Sequence, residues 1–418
     1  MAEPTGDPFN IAVFGDTHLD YAAHGHTDGN GMNLRALDGE RAFNEIFTGI
    51  LDSSTPVNAI VHTGDVFHTP MPSIRSIRFV NHYARLASER GIPLYIDSGN
   101  HDTPDQKHKM SAVSVLDHPQ IGIHGLYKPY EVKMIADGIA LHSVGHHGLK
   151  GSQAPEVKAV DGVLNLFMAH GAALDPKNAT LMSCKDSPRE QIIPVEMVIN
   201  EDFIMKMLGH YHSRYAVGSE LLNTWYTGST LRRGFSDESG ARGWMLISIY
   251  PNGTVTKKFH NIYQRPQYDL SVIDAAGLTA PQLQDRIEQN MLTTRRDEAI
   301  GEFNPNEAPI VRQKVINAPL SLRAGVDRSR IGQLSQHMLH WDLSYSAPER
   351  TARSASDEKK GDDVSLARSG ANRTGTLDYF KQWSDESEAL KGMTEKQKEA
   401  VKKKAVAHLE SVRTGKEG

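Results

Sequence analysis

Phe9-Asn10-Ile11-Ala12-Val13-Phe14-Gly15-Asp16-Thr17-His18 decides the fold: an apolar, strand-like run stops at a glycine and hands the chain to an aspartate and a histidine. The same pattern returns downstream. Ala59-Ile60-Val61-His62 reads as a buried strand ending at Gly64-Asp65, and Pro93 to Ile96 as a third ending at Gly99-Asn100-His101. Between them Leu34, Leu37, Ala42, Ile46, Phe47 and Ile50 keep helical spacing, as do Ile74, Ile77, Val80, Tyr83 and Leu86, with Pro72 near the start and Gly91 at the stop. Strand and helix in alternation predict a layered α/β sandwich. Leu164 to Met168 runs into His170, and Phe203 to Leu208 into Gly209-His210. Trp244 to Tyr250 and Thr254 to Phe259 flank Pro251-Asn252-Gly253, whose Asn-Gly suits the positive φ of a tight hairpin turn. That hairpin closes a first domain, residues 1–262.

A second unit, residues 263–347, is expected from strand-like Tyr268 to Ile273, a helix over Pro281 to Met291, a strand at Ile310 to Ile316, a helix around Arg328 to Met338 and a strand at Trp341 to Tyr345. Residues 348–375 are dominated by Ser, Arg, Asp, Lys and Gly, which cannot offset their ordering entropy, and predict a disordered linker. In the tail, 376–418, Leu377, Tyr379, Phe380, Trp383, Leu390, Met393, Val401, Ala405 and Leu409 recur among lysines and glutamates. They predict amphipathic helices that need a partner.

The length of 418 residues allows about two or three domains. Lys plus Arg total 46 against 51 Asp plus Glu, a net charge of -5, so any nucleic-acid surface must be a local patch. One cysteine, Cys184, excludes an internal disulfide and a thiolate metal cluster; we read it as passive and the compartment as reducing. Met1 to Phe9 has no basic start and no apolar h-region, and mean hydropathy is -0.46. Nowhere does the chain approach the roughly 18 apolar residues of a membrane span. The expectation is a soluble, cytoplasmic protein without a membrane partner.

Five strand ends therefore carry candidate ligands: Asp16 and His18, Asp65, Asn100 and His101, His170, and His210 and His212. In α/β sheets the crevice beyond the carboxyl ends of the strands gathers residues distant in sequence. A lone Asp-x-His arises about once by chance in such a chain, but five such ends in succession do not. Carboxylates, imidazoles and one amide oxygen suit Mn²⁺, Fe²⁺ or Zn²⁺ better than Mg²⁺. A pair of ions would clamp the attacking and leaving oxygens of a phosphoryl displacement, with Asp65 the natural bridge.

Asp16-x-His18, Gly64-Asp65, Gly99-Asn100-His101-Asp102, His170 and Gly209-His210-x-His212 resemble the calcineurin-like metallophosphoesterase superfamily over roughly residues 9–260. Gly64-Asp65-Val66-Phe67-His68, Tyr226-Thr227-Gly228-Ser229 and Phe235-Ser236-Asp237-Glu238 most resemble the SbcD-type DNA-repair nucleases within it. The resemblance implies a four-layer sandwich of two β-sheets flanked by helices, with a small α/β capping domain and a helical tail. It implies that Asp16, His18, Asp65 and His212 hold one divalent ion, Mn²⁺ above others, and Asp65, Asn100, His170 and His210 a second. His101 would be the catalytic histidine, Asp102 would orient it, and His68 would contact the substrate phosphate. The partners implied are DNA, a second copy in a homodimer, and an SbcC-type coiled-coil ATPase docked on the tail. The cap would select DNA shape, and the activity would be exonucleolytic on duplex ends, with endonuclease action on single strands or hairpins.

Phosphoprotein phosphatases of the superfamily carry Gly-Asp-x-Val-Asp-Arg-Gly and Gly-Asn-His-Glu; Gly64-Asp65-Val66-Phe67-His68-Thr69-Pro70 and Gly99-Asn100-His101-Asp102 depart from both. A phosphatase or small-molecule phosphodiesterase on the same fold is the competing expectation, and a non-catalytic DNA-end scaffold a further one. The short loops and compact tail suit a bacterial or phage protein. His24, His26, His146 and His147 are expected to be solvated loop residues, and Tyr226 to be packed. Arg75, Arg78, Lys107, Lys109, Arg214, Arg232 and Arg233 are the cations available for DNA phosphates.

Overall fold

A computed structural model describes residues 3–106, 108–150, 154–173, 191–218, 220–235, 240–293 and 304–348. The expected linker beyond Pro348, the helical tail, Cys184, Lys107 and Ser236-Asp237-Glu238 lie outside the described residues. Among the described residues no helix is long and apolar enough to cross a membrane.

In chain order the first part runs β1 (Phe9–Phe14), α1 (Leu34–Leu51), β2 (Ala59–His62), α2 (Ile74–Glu89), β3 (Leu94–Asp97), β4 (Ile123–Leu126), β5 (Glu131–Ala136) and β6 (Ile139–Val144). There follow α3 (His146–Leu149), β7 (Leu164–His170), β8 (Ala172–Ala173), β9 (Ile192–Ile193), α4 (Val195–Ile199), β10 (Phe203–Gly209), β11 (Tyr215–Ala216), β12 (Thr224–Tyr226), β13 (Gly243–Ile249) and β14 (Val255–Asn261). One six-stranded sheet has the order β14-β13-β1-β2-β3-β4 and the other β11-β12-β10-β7-β6-β5.

The two-residue period of β1 explains the layering. Ile11 and Val13 join Ala59, Val61, Leu166, Met168, Met205 and Met207 in a core between the sheets. Ala12 and Phe14 face the other way, into Phe43, Ile46, Phe47 and Ile50 of α1 and Val80, Ala84 and Ala87 of α2. On the far side Phe167, Ala169 and Leu208 pack on Met197 and Val198 of α4. The result is helix, sheet, sheet, helix, as expected. Asn33 starts α1 by accepting the backbone N–H groups of Arg35 and Ala36, and Ser73 starts α2 through Ser76.

A third sheet has its own core. It is built from β15 (Gln267–Asp269), β16 (Ile273–Asp274), α5 (Ala280–Thr293), β17 (Ile310–Ile316), α6 (Leu320–Ala324), α7 (Arg328–Leu334) and β18 (His340–Tyr345). β17 pairs in parallel with β15, β16 and β18. Ile273, Leu283, Ile287, Met291, Val311, Val315, Ile331, Leu334 and Met338 fill it. The single strand expected from Tyr268 to Ile273 is two short strands, and the helix expected to reach Met338 stops at Leu334, where Ser335 caps it.

This unit meets α1 through a buried polar joint. Asp38 takes Arg35 Nη1 at 2.6 Å on its own helix and Arg265 Nε at 2.6 Å and Nη2 at 2.8 Å from the start of the third sheet. Arg265 also donates to the carbonyls of Ala308 and Pro305. Leu34, Ala308, Ile310 and Leu339 close over it.

Candidate active site

β1, β2 and β3 are parallel neighbours, as are β7 and β10, so their carboxyl ends gather where the two sheets meet. The loops leaving them interlock through backbone bonds: Asp16 N–H donates to the Gly64 carbonyl and His18 N–H to the Asp65 carbonyl, both at 3.0 Å. Close approach requires glycine here. A Cβ on Gly99 would sit 2.1 Å from Asp65 Oδ1, and one on Gly64 2.5 Å from His170 Nδ1. Four residues of the cluster take left-handed backbone, Asp16 (φ 49°), His18 (φ 45°), Asp65 (φ 53°) and His210 (φ 103°), a cost that surrounding structure must impose.

The side chains converge. Asp65 Oδ2 lies 3.3 Å from His170 Nε2 and 3.6 Å from His18 Nε2, and Asp65 Oδ1 accepts the His101 N–H at 2.8 Å. Asn100 Oδ1 is 3.0 Å from His170 Nε2 and 3.1 Å from His210 Nδ1. Asp16 takes the His210 N–H on both oxygens at 3.1 Å, and its Oδ1 lies 3.9 Å from His18 Nε2 and 4.0 Å from His212 Nε2. All eight residues, Asp16, His18, Asp65, Asn100, His101, His170, His210 and His212, thus share one cleft. Asp16, His18, Asp65 and His170 form its buried floor, whereas His68, Asn100, His101, His210 and His212 are partly open.

A sequence profile of the calcineurin-like phosphoesterases matches residues 9–229, more than half of the chain and every residue of this cluster. The chain belongs to this family. Among its relatives are DNA double-strand break repair proteins Mre11. That of Thermoplasma acidophilum is 28% identical over 173 residues, 39% of this chain and 43% of the relative. That of Haloferax volcanii is 24% identical over 273 residues, 63% of this chain and 54% of the relative. The matches span about half the length of these relatives.

The calcineurin-like phosphoesterase fold binds divalent metals, and this cleft fits them. Within each of the groups Asp16, His18, His212 and Asp16, Asp65, His170 the candidate ligand atoms lie within 4.8 Å of one another. Burial of two carboxylates side by side is costly unless cations compensate it. Burial disfavours charge on His170, but Asp65 outweighs it and lifts the imidazole to about 10; Asp65, against its own burial, is held well below the carboxylate range by the same ring. His170 Nδ1 donates to the Thr63 carbonyl at 2.9 Å, which turns Nε2 into the cleft as the ligand atom.

Two expectations need correction. Asp102 does not orient the His101 ring: its buried carboxylate accepts the backbone N–H groups of Val66 at 3.1 Å, Phe67 at 2.7 Å and Gly99 at 3.2 Å, bracing the loops after β2 and β3. Burial, with Asp65 nearby, pushes its pKa up to about 7. The orienting group is the His68 carbonyl, which takes His101 Nδ1 at 3.0 Å while the two rings stack 5.1 Å apart. Nor are three of the four extra histidines solvated loop residues, although His26 is exposed as expected. His146 is 2% exposed beneath the Ser98 carbonyl, His147 Nε2 donates to the Pro104 carbonyl, and His24 stacks on His340 at 4.0 Å.

The cations divide by what they contact. Arg75 is spent on Glu40 and Arg214 lies over the Phe259 ring at 4.2 Å, whereas Arg233 reaches His68 and His212. Arg242, which no motif marks, donates to the His212 carbonyl and fixes the last ligand loop. Tyr226 is packed as expected, its hydroxyl donating to the Gly171 carbonyl at 2.8 Å.

Proposed function

We propose that this phosphoesterase is a DNA nuclease of the SbcD type that cuts phosphodiesters during DNA end processing. The observation that carries the reading is the stacked pair His68 and His101 at the open face of the His/Asp/Asn cluster. Both rings are partly open and neither belongs to the buried floor, which supports their facing a phosphodiester. The similarity to proteins named for DNA double-strand break repair supports DNA as the substrate.

In this reading Asp16, His18, Asp65 and His212 hold one divalent ion and Asp65, Asn100, His170 and His210 the other, with Mn²⁺ the ion we favour. When bound, such ions lower the pKa of a water and neutralise charge that builds on phosphoryl oxygens. The chain supplies the rest. Since the His68 carbonyl only accepts, His101 Nδ1 carries a proton and Nε2 is the working atom; with the ring doubly protonated, Nε2 gives its proton to the departing 3′ oxygen and the ring is left neutral with its proton on Nδ1. His68 meets a non-bridging oxygen, and Asp102 keeps both loops in register.

Residues 263–347 act as a cap that selects DNA shape, 348–375 as a linker, and 376–418 as the segment that docks on an SbcC-type ATPase. Met71 and Ile74 at the start of α2, with Met110 and Val115, leave apolar side chains in solvent and support pairing with a second copy. Action on duplex ends, with endonuclease action on single strands or hairpins, in the cytoplasm of a bacterial or phage-infected cell, completes the proposal.

The test is cleavage of end-labelled linear duplex in Mn²⁺ against EDTA, with p-nitrophenyl phosphate esters as controls. His101→Ala should lower kcat by about 10²- to 10⁴-fold while Mn²⁺ binding persists. Hydrolysis of small esters without DNA cleavage, even with a candidate ATPase added, would replace the nuclease with a phosphatase or small-molecule phosphodiesterase.

A further inference from the structure

The geometry points to Arg233 as the residue that grips the scissile phosphate, a role that rests on the phosphoesterase reading of the cleft and extends it. Its guanidinium spans the open face of the site: Nη2 lies 2.9 Å from His212 Nε2 and Nη1 3.4 Å from His68 Nδ1. His212 leans on His18, with 3.2 Å between their Nε2 atoms, and His68 stacks on His101. One planar cation therefore touches both His212, which leans on His18 of the buried floor, and His68 of the histidine pair proposed to act on the substrate.

The backbone around Arg233 is fixed on both sides. The carbonyl of Arg232 accepts from Arg35 and from Gln267 Nε2 at 2.8 Å, and the N–H of Arg232 donates to Gln264 Oε1 at 3.0 Å. The carbonyl of Arg233 itself accepts the Tyr21 hydroxyl at 3.1 Å, and the Tyr21 ring lies 5.8 Å beneath the guanidinium. Arg35 is held in turn by Asp38, the residue at the heart of the joint with the third sheet. α1, the loop after β1 and the first strand of the third sheet thus converge on two successive carbonyls, which is how a loop residue acquires the rigidity that substrate positioning requires.

Chemistry selects the ligand. Guanidinium presents five N–H donors in a flat fork that matches two oxygens of one phosphate, a geometry an ammonium lacks. Arg233 is placed to take the non-bridging oxygens of the diester that His68 also faces, and to hold them as charge accumulates during cleavage. Gln267 is then a positioning residue acting through Arg233, although it belongs to the capping unit.

Three measurements on the full-length, Mn²⁺-loaded protein test this. Inorganic phosphate binding by calorimetry should weaken about 10- to 100-fold in Arg233→Ala, the loss expected for a charge-assisted hydrogen-bonded contact, with Arg233→Lys recovering only part. Mn²⁺ stoichiometry should stay unchanged in both variants. Gln267→Ala should weaken phosphate binding several-fold, and Gln267→Ala combined with Arg233→Ala should bind no worse than Arg233→Ala alone, since a residue acting through another loses its effect when that residue is gone.

Equal phosphate affinity in Arg233→Ala and the wild type, or no phosphate binding by the wild type, overturns the assignment. So does a parallel loss of Mn²⁺, which would make Arg233 a support for His212. If the affinity difference holds while no variant and no wild-type protein cuts DNA, the phosphate grip stands and the nuclease reading falls.

Discussion

The strand ends of the sandwich and those of the third sheet are made of similar polar residues and solve opposite problems. In the sandwich, Asp16, His18, Asp65 and His210 all have positive φ, and Asp16, His18 and Asp65 are buried. At the end of β17 in the third sheet, Asn317 (φ 55°) donates to Asp274 Oδ1 at 2.9 Å in an exposed turn, and Asp269 pairs at the surface with Arg312. The polar groups of the third sheet satisfy each other in water. Those of the sandwich are driven together in the interior, where carboxylates and imidazoles are costly and strain needs enforcement. The difference teaches that strained, buried acids at strand ends mark chemistry, while the same residues at exposed ends mark only a turn.

The comparison breaks most visibly at two aspartates. Asp65→Asn should lower activity by about 10³-fold or more, about 4 kcal/mol of transition-state stabilisation, and should cost one bound Mn²⁺ per chain by calorimetry. Asp269→Asn, which removes an equally well-formed pair, should leave activity within about threefold and stability within about 1 kcal/mol, since exposed ion pairs contribute little. Equal losses at the two positions would show that burial and strain carry no functional information here.

Between the regions lies the joint, and Asp38 is its weak point. Asp38→Ala leaves the guanidinium groups of Arg35 and Arg265 buried without their carboxylate. A loss of about 3–5 kcal/mol is expected in urea unfolding, the cost of orphaning a buried charge. A change below about 1 kcal/mol would mean that the carbonyls of Ala308, Pro305 and Arg232 alone suffice to solvate the two arginines.

The same joint should report pH. Burial, then His340, Arg35 and His26, hold the His24 imidazole down to about 4, and burial lowers His340 against the pull of Asp342. Unfolded, both titrate near 6.5. Between pH 6.5 and 4 the unfolded chain binds more protons, so stability should fall with pH across that window and level off below it. His24→Gln should flatten the slope between pH 7 and pH 5. An unchanged slope would assign the acid sensitivity elsewhere.

Much of the sandwich was legible because β1, β2, β3, β7 and β10 are largely buried and read as apolar runs, each punctuated by glycine and a ligand. β5 was invisible for the opposite reason, since Glu131–Ala136 is a half-exposed edge strand of mixed character. The candidate residues could be named because their order along the chain is the order of the parallel strands. What no pattern in the chain revealed was direction. Asp102 stands next to His101 in sequence, but the tight turn after β3 aims its carboxylate backward at Val66, Phe67 and Gly99. His146 looked like a loop residue, but it opens α3 against Ser98 and is buried. The Arg35, Asp38 and Arg265 joint spans 227 positions between Asp38 and Arg265, a separation no local periodicity can bridge.

The finest test concerns glycine. In the sandwich Gly99 cannot accept a side chain, because the new atom would strike the Asp65 carboxylate. Gly332 lies within α7, exposed, with ordinary helical backbone and nothing within 4 Å of an added Cβ. Glycine inside a helix costs about 0.5–1 kcal/mol relative to alanine, chiefly through the freedom it gives the unfolded chain. Gly332→Ala should therefore stabilise the third sheet by about that amount, with Mn²⁺ binding and cleavage unchanged. A gain in thermal midpoint without altered activity would sharpen the division between a helix that serves stability and a sandwich whose glycines are fixed by the site. Altered cleavage would instead show that the rigidity of α7 is felt in the cleft, and α7 would join Gln267 among the parts of the third sheet that bear on the chemistry.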